Sequence, residues 1–350
     1  MRFGLSLNLE RQAPGADIKT IVREIDDLVR MADEGGFDML FAPEHHTLEM
    51  TIGPNPFIQL AHWADITSRI RLGTAVLAVP YWHPIRLAGE AALFDVLSDG
   101  RLELGLGRGA YKYEFDRMAG GLSPEEGRDR LEHMVPLLRQ LWAGDHSSDY
   151  EAWAFPTATA TPKPLQQPGP PIWLAARHPS VFDLAVRTEC DVMATPLSDP
   201  FDEVVSLRDR LDAACATYPD KPRPRFMVLR DACVYDRPDG WEQPVEAIKI
   251  HARQFETLFS DVGGVTNGFP DLADLEALER RANYRTADIR ENLVFGRPDE
   301  VIAKLKRYEE VGVDYFLYGA CWGLDHRLMH KSLGLFIREV LPAFDTQLVA

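Results

Sequence analysis

Cysteine is scarce and scattered. Cys190, Cys215, Cys233 and Cys321 are the only four in 350 residues, and no two form a CxxC pair. That spacing offers no zinc framework and no compact disulfide scaffold; it reads as buried, reduced thiols in a cytoplasmic protein. Positive charge is also short: 38 Lys and Arg against 54 Asp and Glu leave a formal charge of −16. Nucleic acid and anionic membrane surfaces both need a cationic footprint, so neither is an expected partner. No run approaches the roughly 20 apolar residues that span a bilayer. The opening MRFGLSLNLERQAPG has no apolar core of a secretory signal. Charge blocks, Gly/Ser linkers and short repeats are missing too.

What recurs is a rhythm of a short apolar run, a loop and an amphipathic stretch. RFGLSLN (2–8), FDMLFAPE (37–44), IRLGTAVLAVP (70–80), RLELGLG (101–107), PIWLAA (171–176), CDVMATP (190–196), RFMVLRDACVYD (225–236) and VDYFLYGA (313–320) read as strands. The Val/Ile/Leu-rich third run has the composition of a parallel strand covered on both faces. Helical spacing follows most of them, as in Ile18, Ile21, Val22, Ile25, Leu28, Val29 and Ala32, stopped by Gly35 and Gly36. Ser123 with Glu126 three residues on predicts a capping box. Eight such units make a single α/β domain over 1–350, a (β/α)8 TIM barrel with insertions at about 145–170 and 240–295. A doubly wound sheet is disfavoured because no GxGxxG follows the first strand.

Barrel enzymes work at the carboxyl ends of their strands, and that rule sorts the polar candidates. Glu44, His45 and His46 close the second strand. Two neighbours on an extended strand point in opposite directions, so one metal shared by both histidines is disfavoured, and no HxH or HExxH accompanies them. Acid–base work and simple hydrogen bonding both remain open for the pair. In GLGRGAY (105–111), Arg108 sits between glycines that permit close backbone approach. It would fork a phosphate, or equally close an ordinary turn. In AARHPS (175–180), Arg177, Ser180 and the free N–H groups of a helix start would favour an anion, or form a plain cap. His83 before Pro84 reads as structural.

EHHTLEM with GPNPF, LGTAVLAVPYWHPIRLAGEAALFDVLSDGRLELGLGRGAYKYEF and VFGRPDEVIAKL together resemble the bacterial luciferase-like flavin monooxygenases. The resemblance covers nearly the whole chain and is strongest over 37–120. It implies a barrel that takes reduced FMN from a separate flavin reductase. Dioxygen then forms a flavin peroxide, which oxygenates an apolar organic substrate of the aldehyde or ketone kind. It implies His45 as the catalytic histidine, supported by Glu44 and His46. Thr74, Ala75, Val76, Gly107, Arg108, Ala176, Arg177 and Ser180 are implied cofactor contacts, with a non-proline cis peptide at Ala75–Val76. Gly107 stands where the luciferase large subunit has a reactive thiol, which would widen the space near the flavin and fits a non-luminescent member. Tyr111, Trp82 and Trp322 are expected in the substrate pocket, and the two insertions are candidate lids. A homodimer through the second and third helices, with their small residues Ala61, Ala64, Ala88, Gly89, Ala91 and Ala92, is also expected. The alternatives are a deazaflavin-dependent hydride-transfer enzyme and a silent flavin-binding relative.

Overall fold

The computed structural model describes residues 1–260, 263–281 and 283–344. The end of the expected single domain, 345–350, and residues 261, 262 and 282 of the second insertion lie outside the described residues. Eight parallel strands run in chain order: β1 (Arg2–Ser6), β2 (Met39–Ala42), β3 (Arg71–Thr74), β4 (Leu102–Gly107), β5 (Ile172–Ala175), β6 (Asp191–Ala194), β7 (Phe226–Val234) and β8 (Tyr315–Gly319). Each pairs with the next, and β8 pairs with β1, with Tyr315 opposite Arg2, so the sheet closes into the expected barrel.

The helices are α1 (Ile18–Gly35), α2 (Pro56–Asp65), α3 (Pro84–Leu97), α4 (Lys112–Met118), α5 (Pro124–Ala143), α6 (Pro179–Arg187), α7 (Phe201–Thr217), α8 (Glu242–Phe259), α9 (Leu275–Glu279), α10 (Thr286–Asn292), α11 (Pro298–Glu310) and α12 (His326–Leu335). Local chemistry sets their ends. Gly36 takes the left-handed conformation that stops α1, at φ 97°. Ser123 and Glu126 form the reciprocal capping box that opens α5. Among the described residues no helix is long and apolar enough to cross a membrane.

The floor of the barrel is a charged plug. Glu103, almost fully buried, accepts from Arg71, from the Trp173 indole at 2.6 Å and from Arg225 at 3.3 Å. Arg225 also pairs with Asp191 at 2.7 Å, so the buried charges are compensated. Above the plug Met39, Phe41, Met193, Met227 and Leu317 fill the centre. The open end is therefore the one at the strands' carboxyl ends.

The two insertions have different fates. Residues 145–170 form a small antiparallel hairpin of His146–Ser148 and Phe155–Ala158 joined by one 3-10 turn. Tyr150 stacks on His133 of α5, and Gln166 binds Asp95 of α3 and the Leu102 carbonyl. This candidate lid lies on the outer helical layer, against α3 and α5. The second insertion does reach the mouth. Phe255 of α8 meets Tyr111 edge-on at 5.8 Å, and Leu258 packs with Leu48, Met50 and Tyr111.

The small residues of α3 also differ from expectation. Ala88, Ala91 and Ala92 are fully buried in the main core, so they do not form an outer contact face. The outward apolar side chains are Ile58 on α2, with Leu93, Val96 and Leu97 on α3.

Candidate active site at the barrel mouth

The chain leaves β2 at Ala42 and runs through Pro43 into Glu44, His45 and His46. His45 is held by its backbone N–H to the Gly53 carbonyl at 3.1 Å. Its Nδ1 lies 3.2 Å from both carboxylate oxygens of Glu114, and its ring stacks on Tyr111 at 5.1 Å. Glu114 also accepts the His46 backbone N–H at 2.6 Å. His46 turns the other way: its Nε2 is 2.9 Å from Glu44, and its ring meets Tyr81 edge-on. The two histidines thus have separate carboxylate partners. With Nδ1 committed to Glu114, Nε2 of His45 is the nitrogen left to face a ligand.

Glu44 is buried and fully served. It accepts the Ala78 backbone N–H at 2.7 Å and the Trp82 indole N–H at 2.9 and 3.0 Å, besides His46. Trp82 therefore does not line a substrate pocket. Its indole holds Glu44, while its ring packs on Phe57 and Arg86. Tyr81 has a buried hydroxyl without a partner. Burial, followed by the Glu114 and Glu44 carboxylates, pushes its phenol well above the usual range; burial and Glu114 do the same to Tyr111. Both phenols stay protonated.

The Ala75–Val76 peptide is cis. It sits between strand ends: Ala75 N–H binds the Ala42 carbonyl, and Glu44 N–H binds the Val76 carbonyl. Thr74 is buried, with its hydroxyl donating to the Gly105 carbonyl at 2.7 Å and accepting from Gly105 N–H at 2.9 Å. This fit needs a bare backbone on β4. A Cβ on Gly105 would lie 1.8 Å from the Thr74 oxygen, and one on Gly107 2.5 Å from Val76 Cγ2. The room expected at Gly107 is therefore taken up by Val76.

Arg108 leaves β4 with Nη1 buried and without a partner. Burial, reinforced by the Arg128 charge on α5, lowers its pKa. Glu125, which pairs with Arg128 at 2.8 Å, partly offsets this, and the buried Nη1 remains a donor for an anion. Arg177 is not a second such donor. It pairs with Asp199 at 3.3 Å and Glu203 at 3.8 Å, both on the α7 side. Ser180 lies in the first turn of α6, exposed, its hydroxyl 2.8 Å from His178 Nδ1; the cap of that helix is His178. Ala176 offers only backbone, since its side chain is buried in the core. Trp322 is another correction. It is fully buried, stacked on Phe295 and bonded to the Gly319 carbonyl.

Glu114 is the residue sequence reasoning missed. It rides on α4, a seven-residue helix too short to leave a periodic signal, directly after the glycine-rich turn. Its position beside two histidines is visible only once the turn is folded.

The model of the luciferase-like monooxygenase family matches residues 1–315. The chain belongs to the luciferase-like monooxygenase family. Over 98% of its length and 96% of the relative's, it is 37% identical to the oxygenase component of a flavin-dependent trigonelline monooxygenase from Acinetobacter baylyi. The solved structure of the monooxygenase RslO1 from Streptomyces bottropensis superposes with a TM-score of 0.81 at 25% identity, covering 98% of this chain and 99% of that one. An F420-dependent secondary alcohol dehydrogenase shares the fold at TM-score 0.76 and 17% identity, covering 98% of each chain. Membership makes this luciferase-like monooxygenase an oxidoreductase by family, and leaves cofactor and substrate to the site.

Proposed function

We propose that the protein is the oxygenase component of a two-component flavin-dependent monooxygenase, using reduced FMN from a separate reductase, dioxygen and a small organic substrate. The observation that carries this reading is the buried, unpartnered Nη1 of Arg108, at the same mouth as His45 and the Ala75–Val76 peptide. The residues fit an FMN. Arg108 would take the phosphate through its unpartnered Nη1, with the N-terminal turn of α6 and Ser180 as further donors. The Thr74–Val76 backbone against Gly105 and Gly107 offers a surface for the ring. Bound reduced FMN would supply the electrons that let dioxygen deliver one oxygen atom to the substrate.

The chain's own residues do the rest. His45 holds or moves one proton at Nε2, while Glu114 fixes the ring and balances positive charge on it. His46 and Glu44 brace the loop from the other side. Phe255 and Leu258 of α8 keep water from the mouth. The named relative favours flavin over deazaflavin; the shared fold alone favours neither. We place the enzyme in the cytoplasm, a reading supported by its four unpaired cysteines. We also place a homodimer contact on the outer faces of α2 and α3, where Ile58, Leu93 and Leu97 are 71%, 47% and 64% exposed.

Rapid mixing of reduced FMN and protein with aerated buffer tests the role of His45. His45→Ala should change the reoxidation rate of bound FMN by about tenfold or more. A rate unchanged from wild type would remove His45 from the chemistry.

A further inference from the structure

The carboxylate that orients His45 rides on a short helix set between glycine turns. α4 has seven residues. Gly109 precedes it at φ 88°, and Gly120 and Gly121 follow it at 62° and 78°. A Cβ on Gly120 would meet nothing within 4 Å, so the chain there turns through open space. A helix this short has little stability of its own and keeps its place through tertiary contacts. One anchor is Phe115, buried and edge-on to Tyr81 at 6.2 Å. The other is Tyr111, which starts the helix and accepts Glu114 N–H on its carbonyl at 3.1 Å.

Tyr111 is held between two rings. His45 stacks on it at 5.1 Å with 28° between the planes, and Phe255 of α8 meets it edge-on at 5.8 Å. The apolar cluster around Tyr111 is separate from the main core. Leu48, Met50, Tyr111 and Leu258 are buried together, with Tyr113, Phe255 and Val265 packed against them. α8 reaches this cluster from the other side of the barrel. Its first turns, through Val245 and Ile248, pack with Cys233 of β7 and with Trp322 just past β8. Its last turns, through Phe255 and Leu258, pack on the Tyr111 side. The helix therefore bridges the mouth, with its two ends in two different clusters. Small separate clusters open separately, so the last turns can lift while the first stay packed.

These contacts form one mechanical chain, from Phe255 to Tyr111, to the first turn of α4, to Glu114 and to Nδ1 of His45. The 3.2 Å separation at Nδ1 is at the long end of an ordinary hydrogen bond. A shift of about 0.5 Å would break it. The ring of His46 is tied elsewhere. Its Nε2 is held by Glu44, which is fixed by Ala78 N–H and the Trp82 indole, and none of these residues is on α4 or α8.

We propose that Phe255 and Tyr111 are positioning residues that couple the seating of α8 to the His45–Glu114 pair. The ring of His45 is oriented, and positive charge on it balanced, when the mouth is covered. Proton handling is thereby tied to water exclusion. The proposal rests on reading His45 as the group that handles the proton of the flavin reaction.

The first test needs no flavin. In protein carrying isotope-labelled histidine, NMR sees ring N–H protons held by buried carboxylates, and the His45 signal is the one lost in His45→Ala. Phe255→Ala should remove that signal or speed its exchange with water about tenfold or more, while the His46 signal held by Glu44 stays. Retention of both signals, or loss of both, would overturn the proposal. The second test reads the reoxidation of bound FMN. Phe255→Ala should move the rate about fivefold or more in the direction of Glu114→Gln, and should add less than about twofold on the Glu114→Gln background. An equal change on both backgrounds would make Phe255 a water barrier alone and overturn the proposal. If the His45 signal responds to Phe255→Ala while reoxidation ignores His45→Ala, the flavin reading falls and the positioning stands.

Discussion

Nδ1 of His45 sits 3.2 Å from each oxygen of Glu114, while the backbone N–H of His46 binds one of those oxygens at 2.6 Å. One carboxylate therefore fixes both the ring of one histidine and the backbone of the next. The catalytic candidate is oriented from α4, across the mouth from its own strand.

Replacing that carboxylate should act through His45. Glu114→Gln keeps the size and an acceptor but loses the charge. The reoxidation rate of bound FMN should move in the same direction as in His45→Ala, by about tenfold. Reduced-FMN affinity should stay within about twofold. Stopped-flow absorbance and an anaerobic titration check the two halves, and an unchanged rate would reduce Glu114 to a structural contact.

Trp82 is expected to matter for stability. Trp82→Phe removes the indole donor from buried Glu44, a hydrogen bond to a charged group. The loss should cost about 1–3 kcal/mol, read as a lower denaturant midpoint. A midpoint within error of wild type would show that the Ala78 N–H and His46 suffice for Glu44.

The fold was legible because each βα unit carries its own signal: alternating or continuous apolar strands, Pro56 and Pro84 at helix starts, Gly36 and Ser123 at caps. The histidine loop was legible for the same reason, since strand-end polarity places it at the mouth. Partnerships were not legible. Arg177 reads as a phosphate cation until Asp199 and Glu203, more than a strand away, are folded beside it. Trp82 and Trp322 both read as pocket aromatics. One became a hydrogen-bond donor and the other a core residue, because tertiary neighbours decide where a large amphipathic ring goes. Glu10 and Asp231 lie far apart in the chain, and only barrel closure through β8 brings their strands together.

That acid pair has a pH signature in stability. Both folded-state values, about 8 and about 7, lie above ordinary carboxyl values. Between about pH 4 and pH 8 the folded state therefore holds protons that the unfolded state has released, and stability falls as pH rises. Glu10 faces Asn8, Gln12, Gly323, Asp231 and Cys321; Asp231 faces Glu10, Cys321 and the outward Arg230. Asp231→Asn should be more stable than wild type at pH 9, with the gain shrinking toward pH 4. Urea unfolding at the two pH values checks it, and a variant less stable at pH 9 would contradict the assignment.

The outer faces of α2 and α3 predict an assembly. Wild type should sediment at twice the chain mass at micromolar concentration. A Leu93→Asp/Leu97→Asp double variant, which places charge on the exposed apolar face, should sediment as a single chain. Wild type running as a monomer would remove the dimer.

The account turns most of all on whether Arg108 and its neighbours bind reduced FMN. An anaerobic fluorescence titration measures this directly, with reduced FMN and reduced deazaflavin as competing ligands and Arg108→Ala as the control. The account predicts saturable one-to-one binding of reduced FMN, tighter than deazaflavin, weakened about tenfold or more in Arg108→Ala. Tighter binding of deazaflavin, or FMN binding untouched by Arg108→Ala, would contradict it.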